Sequence, residues 1–249
     1  NIEMVCKKYR NLMGRYFYNP VPLSDERAQS LFSHIQTYHR YSSTDRRFRG
    51  PIKKKVIWYE VSYSACKKNS QVCEYKSVLL SRRDRMCTGD TIPPIVTSLG
   101  VQCFMECLSI SSITIPQRVR SLGDQCFAGC SNLTTLVIPS SVTSLGRECL
   151  RGCSMLSSLS LPDSIERIGD SFLMDCTNIQ SLTLPAVVMM GRRPYRGCSS
   201  MTSIHMNCSY SRVDNRCVYV LGELLSSVQI PKTVWFLNSV PVDDVHSPH

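Results

Sequence analysis

Fourteen cysteines and five histidines are the residues of this 249-residue chain best equipped to do chemistry. Three cysteine pairs, Cys103/Cys107, Cys126/Cys130 and Cys149/Cys153, stand four residues apart, a spacing at which two thiolates can share a zinc ion. Followed along the chain, the column of Cys149 holds Phe172 at its next occurrence and Pro194 after that. A position that accepts phenylalanine is a core position, and free cysteine is among the most buried residue types. The pairs therefore read as buried, stacked thiols, and no metal site is assigned. In an oxidising compartment stacked positions at the ~5 Å strand spacing would also lie within disulfide reach.

The histidines, His34, His39, His205, His246 and His249, are scattered, and no Ser-His-Asp or Cys-His arrangement follows from their positions. His205, between the inward Ile204 and Met206, faces outward as a contact or solvated residue rather than a general base. No catalytic residue and no cofactor is assigned, and the chain reads as a non-enzyme. The run Arg46-Arg-Phe-Arg-Gly-Pro-Ile-Lys-Lys-Lys55 could release counterions from phosphate and stack Phe48 on a base. Gly50-Pro51 at its centre marks a loop, though, and no complete nucleic-acid-binding signature accompanies it. A solvated loop is the preferred reading, and nucleic acid is disfavoured as a partner.

What positions these residues is a repeat. Pro93, Pro116, Pro139, Pro162 and Pro185 each begin a step of 23 residues. The clearest copy runs Pro139-Ser-Ser-Val-Thr-Ser-Leu-Gly146, through Cys149-Leu-Arg-Gly-Cys153, to Leu156-Ser-Ser-Leu159-Ser-Leu161. A fixed period of this length is the mark of a leucine-rich-repeat coil and is too short for a propeller blade. Val142 and Leu145 should point inward from a first short strand, and Leu133, Leu136 and Ile138 from a second, which proline ends. The glycine at 100, 123, 146, 169 and 191 requires either a positive φ or a close backbone approach. The fifth coil is one residue short, with Arg192, Arg193 and Arg196 around Pro194, and the sixth, from about Asn207, is degenerate. The pattern returns at Val228–Pro231 and Val234–Leu237, where Asn238 takes the glycine position.

Charge separates the remainder. Residues 1–92 carry 18 Lys/Arg against 8 Asp/Glu, whereas residues 93–249 carry 11 of each. The division expected is a helix at 1–19, a basic cap at 20–92, repeats at 93–237 and a polar tail at 238–249. Ile2, Val5, Cys6, Tyr9, Leu12 and Met13 fall at helical spacing. Ser24-Asp25-Glu26 opens a second helix to about Ser33, with Leu31, Phe32 and Ile35 as inward contacts with the first coil. Val56–Tyr63 and Val78–Leu80 have strand composition. The whole region predicts an irregular α+β cap, which a repeat array needs to cover its end coil. No stretch approaches ~18 consecutive apolar residues. Residue 1 is Asn and no signal-type n-region and h-region lead the chain, so it reads as trimmed, with a lost signal peptide left open.

Three resemblances follow from these residues. The Pro-x-x-Val-Thr-Ser-Leu-Gly-x-x-Cys-Phe-x-Gly-Cys-Ser-x-Leu-Thr-x-Leu-x-Ile pattern over about residues 91–237 resembles the BspA-like, or treponemal, leucine-rich repeat. Residues 56–88 are similar, more loosely, to the N-terminal parts of BspA-like proteins from parasitic amoebae. Glu3–Arg10 resembles the closing helix of an F-box, although the Leu-Pro opening of an F-box is absent and an ordinary amphipathic helix explains the same spacing. The repeat resemblance implies a leucine-rich-repeat solenoid and a non-enzymatic protein-binding role. The F-box resemblance would imply a substrate adaptor for a ubiquitin ligase, and the bacterial relatives would imply a surface adhesin.

In a solenoid of this kind the working surface is the outward side of the second strand, the concave face. Its residues here are Thr114, Thr135, Val137, Ser158, Ser160, Thr183, His205 and Gln229, flanked by Ser112, Ser181 and Ser203. Arg192, Arg193 and Arg196 form the rival, basic patch. A protein partner is expected. Unpaired cysteines favour a reducing, cytoplasmic setting, with the cell surface as the alternative; the oligomeric state stays open.

Overall fold

The β-branched and aromatic run around Ile57 forms a strand, as its composition requires, and the strand organises the N-terminal part of the chain. The computed structural model describes residues 17–23, 29, 32, 35–45, 48, 50–68, 73–185 and 189–207. Two units are distinguished, Asn1–Leu79 and Leu80–His249. In the first, β1 (Thr37–Arg40), β2 (Lys54–Ser62), α1 (Tyr63–Lys68) and β3 (Cys73–Leu80) follow in order. β1 and β2 are parallel, with His39 opposite Val56 and Arg40 opposite Ile57. β2 and β3 are also parallel, and the register slips between Ile57 and Glu60. A parallel pair needs a crossover, which α1 begins between β2 and β3. The strand expected over Val56–Tyr63 is therefore shifted, because Tyr63 already belongs to α1.

Phe32 and Ile35 are buried, but against Leu23 and Tyr38, with Phe48 and Ile52 packed beside them. They serve this unit's own core, where the sequence had suggested contacts with the first coil. Phe48, offered above as a base-stacking residue, instead lies 5.7 Å from the Tyr38 ring. The helices expected at 1–19 and 24–33 fall largely outside the described residues, as do Leu31, Arg46, Arg47 and Arg49.

The second unit opens with α2 (Arg82–Thr88). Ser81 caps it: its hydroxyl accepts from the Asp84 N–H, and the Asp84 carboxylate accepts from the Ser81 N–H. This reciprocal pair satisfies two donors that a helix N-terminus otherwise leaves bare. Each coil after it supplies two strands: β4 (Ser98–Leu99) and β5 (Ser112–Thr114), then β6 (Ser121–Leu122) and β7 (Thr135–Val137). Next come β8 (Ser144–Leu145) with β9 (Ser158–Ser160), β10 (Arg167–Ile168) with β11 (Ser181–Pro185), and β12 (Met189–Met190) with β13 (Ser203–Asn207). The first strands stack in parallel, Leu99 on Leu122 on Leu145 on Ile168 on Met190. The second strands stack in two hydrogen-bonded pieces, β5–β7 and β9–β11–β13. The result is a β-solenoid with little helix.

The inward assignments hold: Val142, Leu145, Leu133, Leu136 and Ile138 are all buried. The first strand is shorter than expected, two residues rather than the stretch from Val142. Between the strands the turns also bond coil to coil. Gln102 N donates to Asp124 O at 2.8 Å, Phe104 N to Cys126 O at 2.7 Å and Glu106 N to Ala128 O at 2.7 Å. Backbone groups outside the strands thereby find partners in the next coil, and the coils stabilise one another.

The recurrent glycine resolves in favour of close approach. A Cβ on Gly146 would lie 2.5 Å from Asp124 N, one on Gly169 2.4 Å from Arg147 N, and one on Gly191 2.3 Å from Asp170 N. Positive φ belongs to other positions, among them the column Gln102, Gln125, Glu148, Ser171 and Arg193 and the column Glu106, Gly129, Gly152, Asp175 and Gly197. Among the described residues no helix is long and apolar enough to cross a membrane.

Candidate binding surface

The cysteines, first in chemical interest, lie inward. Cys103, Cys126, Cys149, Cys107, Cys130, Cys153, Cys176 and Cys198 are all buried, and every described cysteine is free. Burial disfavours a thiolate, and it pushes Cys103, Cys130, Cys149 and Cys198 up to about 12 and Cys126 well above the usual thiol value. Protonated thiols are donors, and four of them are used as such. Cys130 Sγ donates to Phe104 O at 3.0 Å, Cys153 to Phe127 O at 3.3 Å, Cys176 to Leu150 O at 3.0 Å and Cys198 to Leu173 O at 3.1 Å. Each bond ties a coil to the one before it. This explains a cysteine, rather than an alanine, at that position: a small apolar group that also satisfies a buried carbonyl. No three His, Cys, Asp or Glu side chains converge as a metal site among the described residues.

Cys107 has no coil before it, and its surroundings differ accordingly. Arg85 from α2 reaches its Sγ at 2.6 Å and Asp90 Oδ1 at 2.5 Å. The same guanidinium lies 5.5 Å from the Phe104 ring, whose next neighbour, Phe127, stacks at 5.2 Å. Arg85 thus continues the ring column at the array's first coil by a cation–π contact.

The outward row can now be placed. The strand registers set Ser112 beside Thr135 and Thr114 beside Val137, then Ser158 beside Ser181 and Ser160 beside Thr183. Ser203 and His205 continue the two lines beside Ser181 and Thr183. Thr114, Thr135, Ser158 and Ser160 are exposed, and Thr183 and His205 are half-buried. Val137, at 76% exposure, is the large apolar side chain of the row. Gln229 lies outside the described residues, with the degenerate sixth coil and the tail. The row is nearly uncharged, so contact with it would rest on shape, hydroxyls and one exposed valine.

The turn side of the coils is different in kind. Its recurring position after the close-approach glycine holds Asp124, Arg147, Asp170 and Arg192 in alternation. Asp124 Oδ1 accepts from Arg147 N at 2.8 Å and Asp170 Oδ1 from Arg192 N at 2.7 Å. One residue on, Gln102 Nε2 donates to Gln125 Oε1 at 2.7 Å, and Gln125 Nε2 to Glu148 Oε2 at 2.9 Å. The Gln125 bond and Arg151 hold the Glu148 carboxyl below the usual range. Arg192, Arg193 and Arg196 are exposed in this turn, and none is ion-paired among the described residues. The polar ladder escaped sequence reasoning, although Gln, Gln and Glu recurring just before the first cysteine of each coil was its signal.

A second group in the N-terminal unit escaped it too. The rings of Tyr18 and His39 stack at 5.1 Å, Trp58 lies 5.8 Å from His39, and Tyr41 lies parallel to Trp58 within 10° at 6.2 Å. Trp58 Nε1 donates to His39 Nδ1 at 3.2 Å, so that nitrogen carries no proton. Asn19, fully buried, holds His39 from both sides: its Nδ2 donates to His39 O and its Oδ1 accepts from His39 N, each at 2.7 Å. Lys76 Nζ sits 5.5 Å from the Trp58 ring centroid, and Glu74 pairs with both Lys76 and Lys54. Those two cations draw the Glu74 carboxyl down to about 2.

Residues 97–224 match, in six copies, the family model described as the BspA type leucine rich repeat region. No curated protein matches the sequence. Solved structures similar to it include a leucine rich repeat protein of T. pallidum, 17% identical, covering 82% of this chain and 87% of that one with a TM-score of 0.42. A leucine rich cell surface protein from Faecalibacterium prausnitzii is 16% identical, covering 73% of this chain and 55% of that one, TM-score 0.46. A leucine-rich repeat protein from Bacteroides ovatus is 18% identical, covering 82% and 62%, TM-score 0.41.

Proposed function

We propose that this chain, which belongs to the BspA-type leucine-rich repeat family, is a non-enzymatic scaffold that engages a protein partner through the outward row of its second strands, on the concave face of the array. The observation that carries this reading is the registered row itself: Thr114, Thr135, Ser158 and Ser160 exposed around a bare Val137. Such a surface costs little to desolvate, since it holds no charge to strip of water. Exposed valine at its centre offers the apolar anchor around which an interface core forms. Thr183 and His205 extend the row, and His205 would add a hydrogen-bonding group at one end. The inward thiols do not compete with this role, because they are buried in the core.

The test is pull-down with the triple variant Thr135→Arg, Val137→Arg and Ser158→Arg against the parent chain. Three guanidinium groups on the row should remove the partner while leaving the melting temperature unchanged, because all three side chains point outward. A parallel variant, Arg192→Ser with Arg193→Ser and Arg196→Ser, should keep it. Partners unchanged in the first and lost in the second would transfer the role to the basic turn of the fifth coil.

A further inference from the structure

We propose that the ring cluster of the N-terminal unit is a stacking platform for single-stranded nucleic acid. The basic run taken alone failed as such a site, because Phe48 is spent on the core and Gly50-Pro51 makes a loop. The fold assembles a different set. Trp58 and Tyr18 keep 45% and 44% of their surface exposed while sitting in ring contact with His39 and, for Trp58, Tyr41. Solvent-exposed tryptophan and tyrosine held together are unusual unless something covers them.

The rings are also fixed in place. Trp58 is tied by its N–H to His39, Tyr41 by its hydroxyl to Asn19 O at 3.1 Å, and His39 by two backbone bonds to buried Asn19. A platform already ordered loses little entropy when a base lies on it. The occupant is chosen by charge. Lys54 and Lys76 flank the rings and share a single carboxylate, Glu74, which leaves a local surplus of cation. By sequence, residues 1–79 contain 15 Lys/Arg against 6 Asp/Glu. Rings beside cations, within a strongly basic unit, match a polymer whose bases offer π faces and whose backbone is anionic. Base stacking on aromatic rings is tolerant of sequence, and phosphate contacts release counterions. A neutral glycan would use the rings and leave the charge without a purpose.

The experiment is fluorescence anisotropy of an end-labelled oligouridylate of about twelve nucleotides, titrated with the full chain at two salt concentrations. Binding should weaken as salt rises. Trp58→Ala should weaken it about tenfold with the salt dependence kept, whereas Lys76→Gln should reduce the slope of log K against log salt by about 0.7. Trp58→Phe, which keeps a ring, should retain most of the affinity and guards against misfolding of the alanine variant. In a Trp235→Phe background, where Trp58 is the only remaining tryptophan, the oligonucleotide should quench its emission. The proposal is overturned by any of three results: no binding at low salt, equal binding by a base-free polyanion such as polyphosphate, or Trp58 emission that the oligonucleotide leaves unchanged. Binding of a neutral oligosaccharide or a peptide at Trp58, with none of the oligonucleotide, overturns it as well.

Discussion

In the coil array an inward leucine or isoleucine recurs in register from Leu99 to Ile168, and the same thiol bonds the same carbonyl one coil back. The N-terminal unit repeats nothing. Its core is Leu23, Phe32, Ile35 and Tyr38, and its outer side gathers rings and lysines from separate strands. The array is neutral on its outward row and carries its charge elsewhere, along the turns and at first-strand positions such as Arg167, while the sequence of the N-terminal unit is strongly basic. The contrast teaches that periodic packing leaves each coil's outward positions free to be small and interchangeable. A non-periodic core must instead place individual side chains, and can therefore concentrate chemistry in one spot.

The largest effect should come from Leu145→Asp. An aspartate at this buried position would have to take its charge out of water, so unfolding of the array should be favoured by about 4 kcal/mol or more. Hydrogen exchange should rise in the coils on either side, not in the mutated coil alone, because each is bonded to its neighbours. A melting curve equal to the parent's would refute the inward assignment. Next, the two kinds of repeating glycine should separate. Gly146→Ala drives a Cβ into backbone atoms of the previous coil and should cost about 3 kcal/mol in urea unfolding. Gly152→Ala, at a φ of +70° with ordinary space around it, should cost about 1–2 kcal/mol. Equal costs at the two sites would remove the distinction between close approach and left-handed backbone.

Alkylation sharpens the contrast at the level of single thiols. Exposed Cys87 should react with iodoacetamide in the native chain, whereas Cys130, Cys149, Cys153 and Cys176 should react only on unfolding. Mass mapping that finds the array thiols labelled as fast as Cys87 would contradict the ladder. The smallest effect is a pH dependence of the N-terminal unit. Burial, and then nearby Lys76, lower the pKa of His39 below its usual 6.5, with Glu74 opposing and Lys54 adding to them. The unfolded chain therefore binds this proton more readily, and stability falls as the pH is lowered. The His39 contribution is complete above 6.5 and is lost as pH drops through the folded value. Thermal melts of His39→Gln should lack this component of the slope.

Much of the array was legible because five approximate copies repeat each constraint, so Leu145 or Cys153 could be read against its equivalents. The glycine at 146 showed that something was constrained without showing what; only the distance to Asp124 N decides that. The short elements were missed for want of pattern. β1 spans four residues, and α2 is announced by little more than Ser81 and Asp84. The ring cluster was beyond reach, because Tyr18, Tyr41 and Trp58 are distant in sequence and meet through His39, which the β1–β2 pairing places. The outward row was readable as a set of positions. Its partner was not, since hydroxyls around one valine carry little chemical identity.

Site-specific photo-crosslinking tests the row most directly. A benzophenone amino acid would be placed at Val137 and, in a second protein, at Arg147 on the charged turn, with irradiation in the presence of the captured partner. An adduct from position 137 and none from position 147 is the expected result. Adducts from 147 alone would contradict the assignment and move the contact surface to the turns.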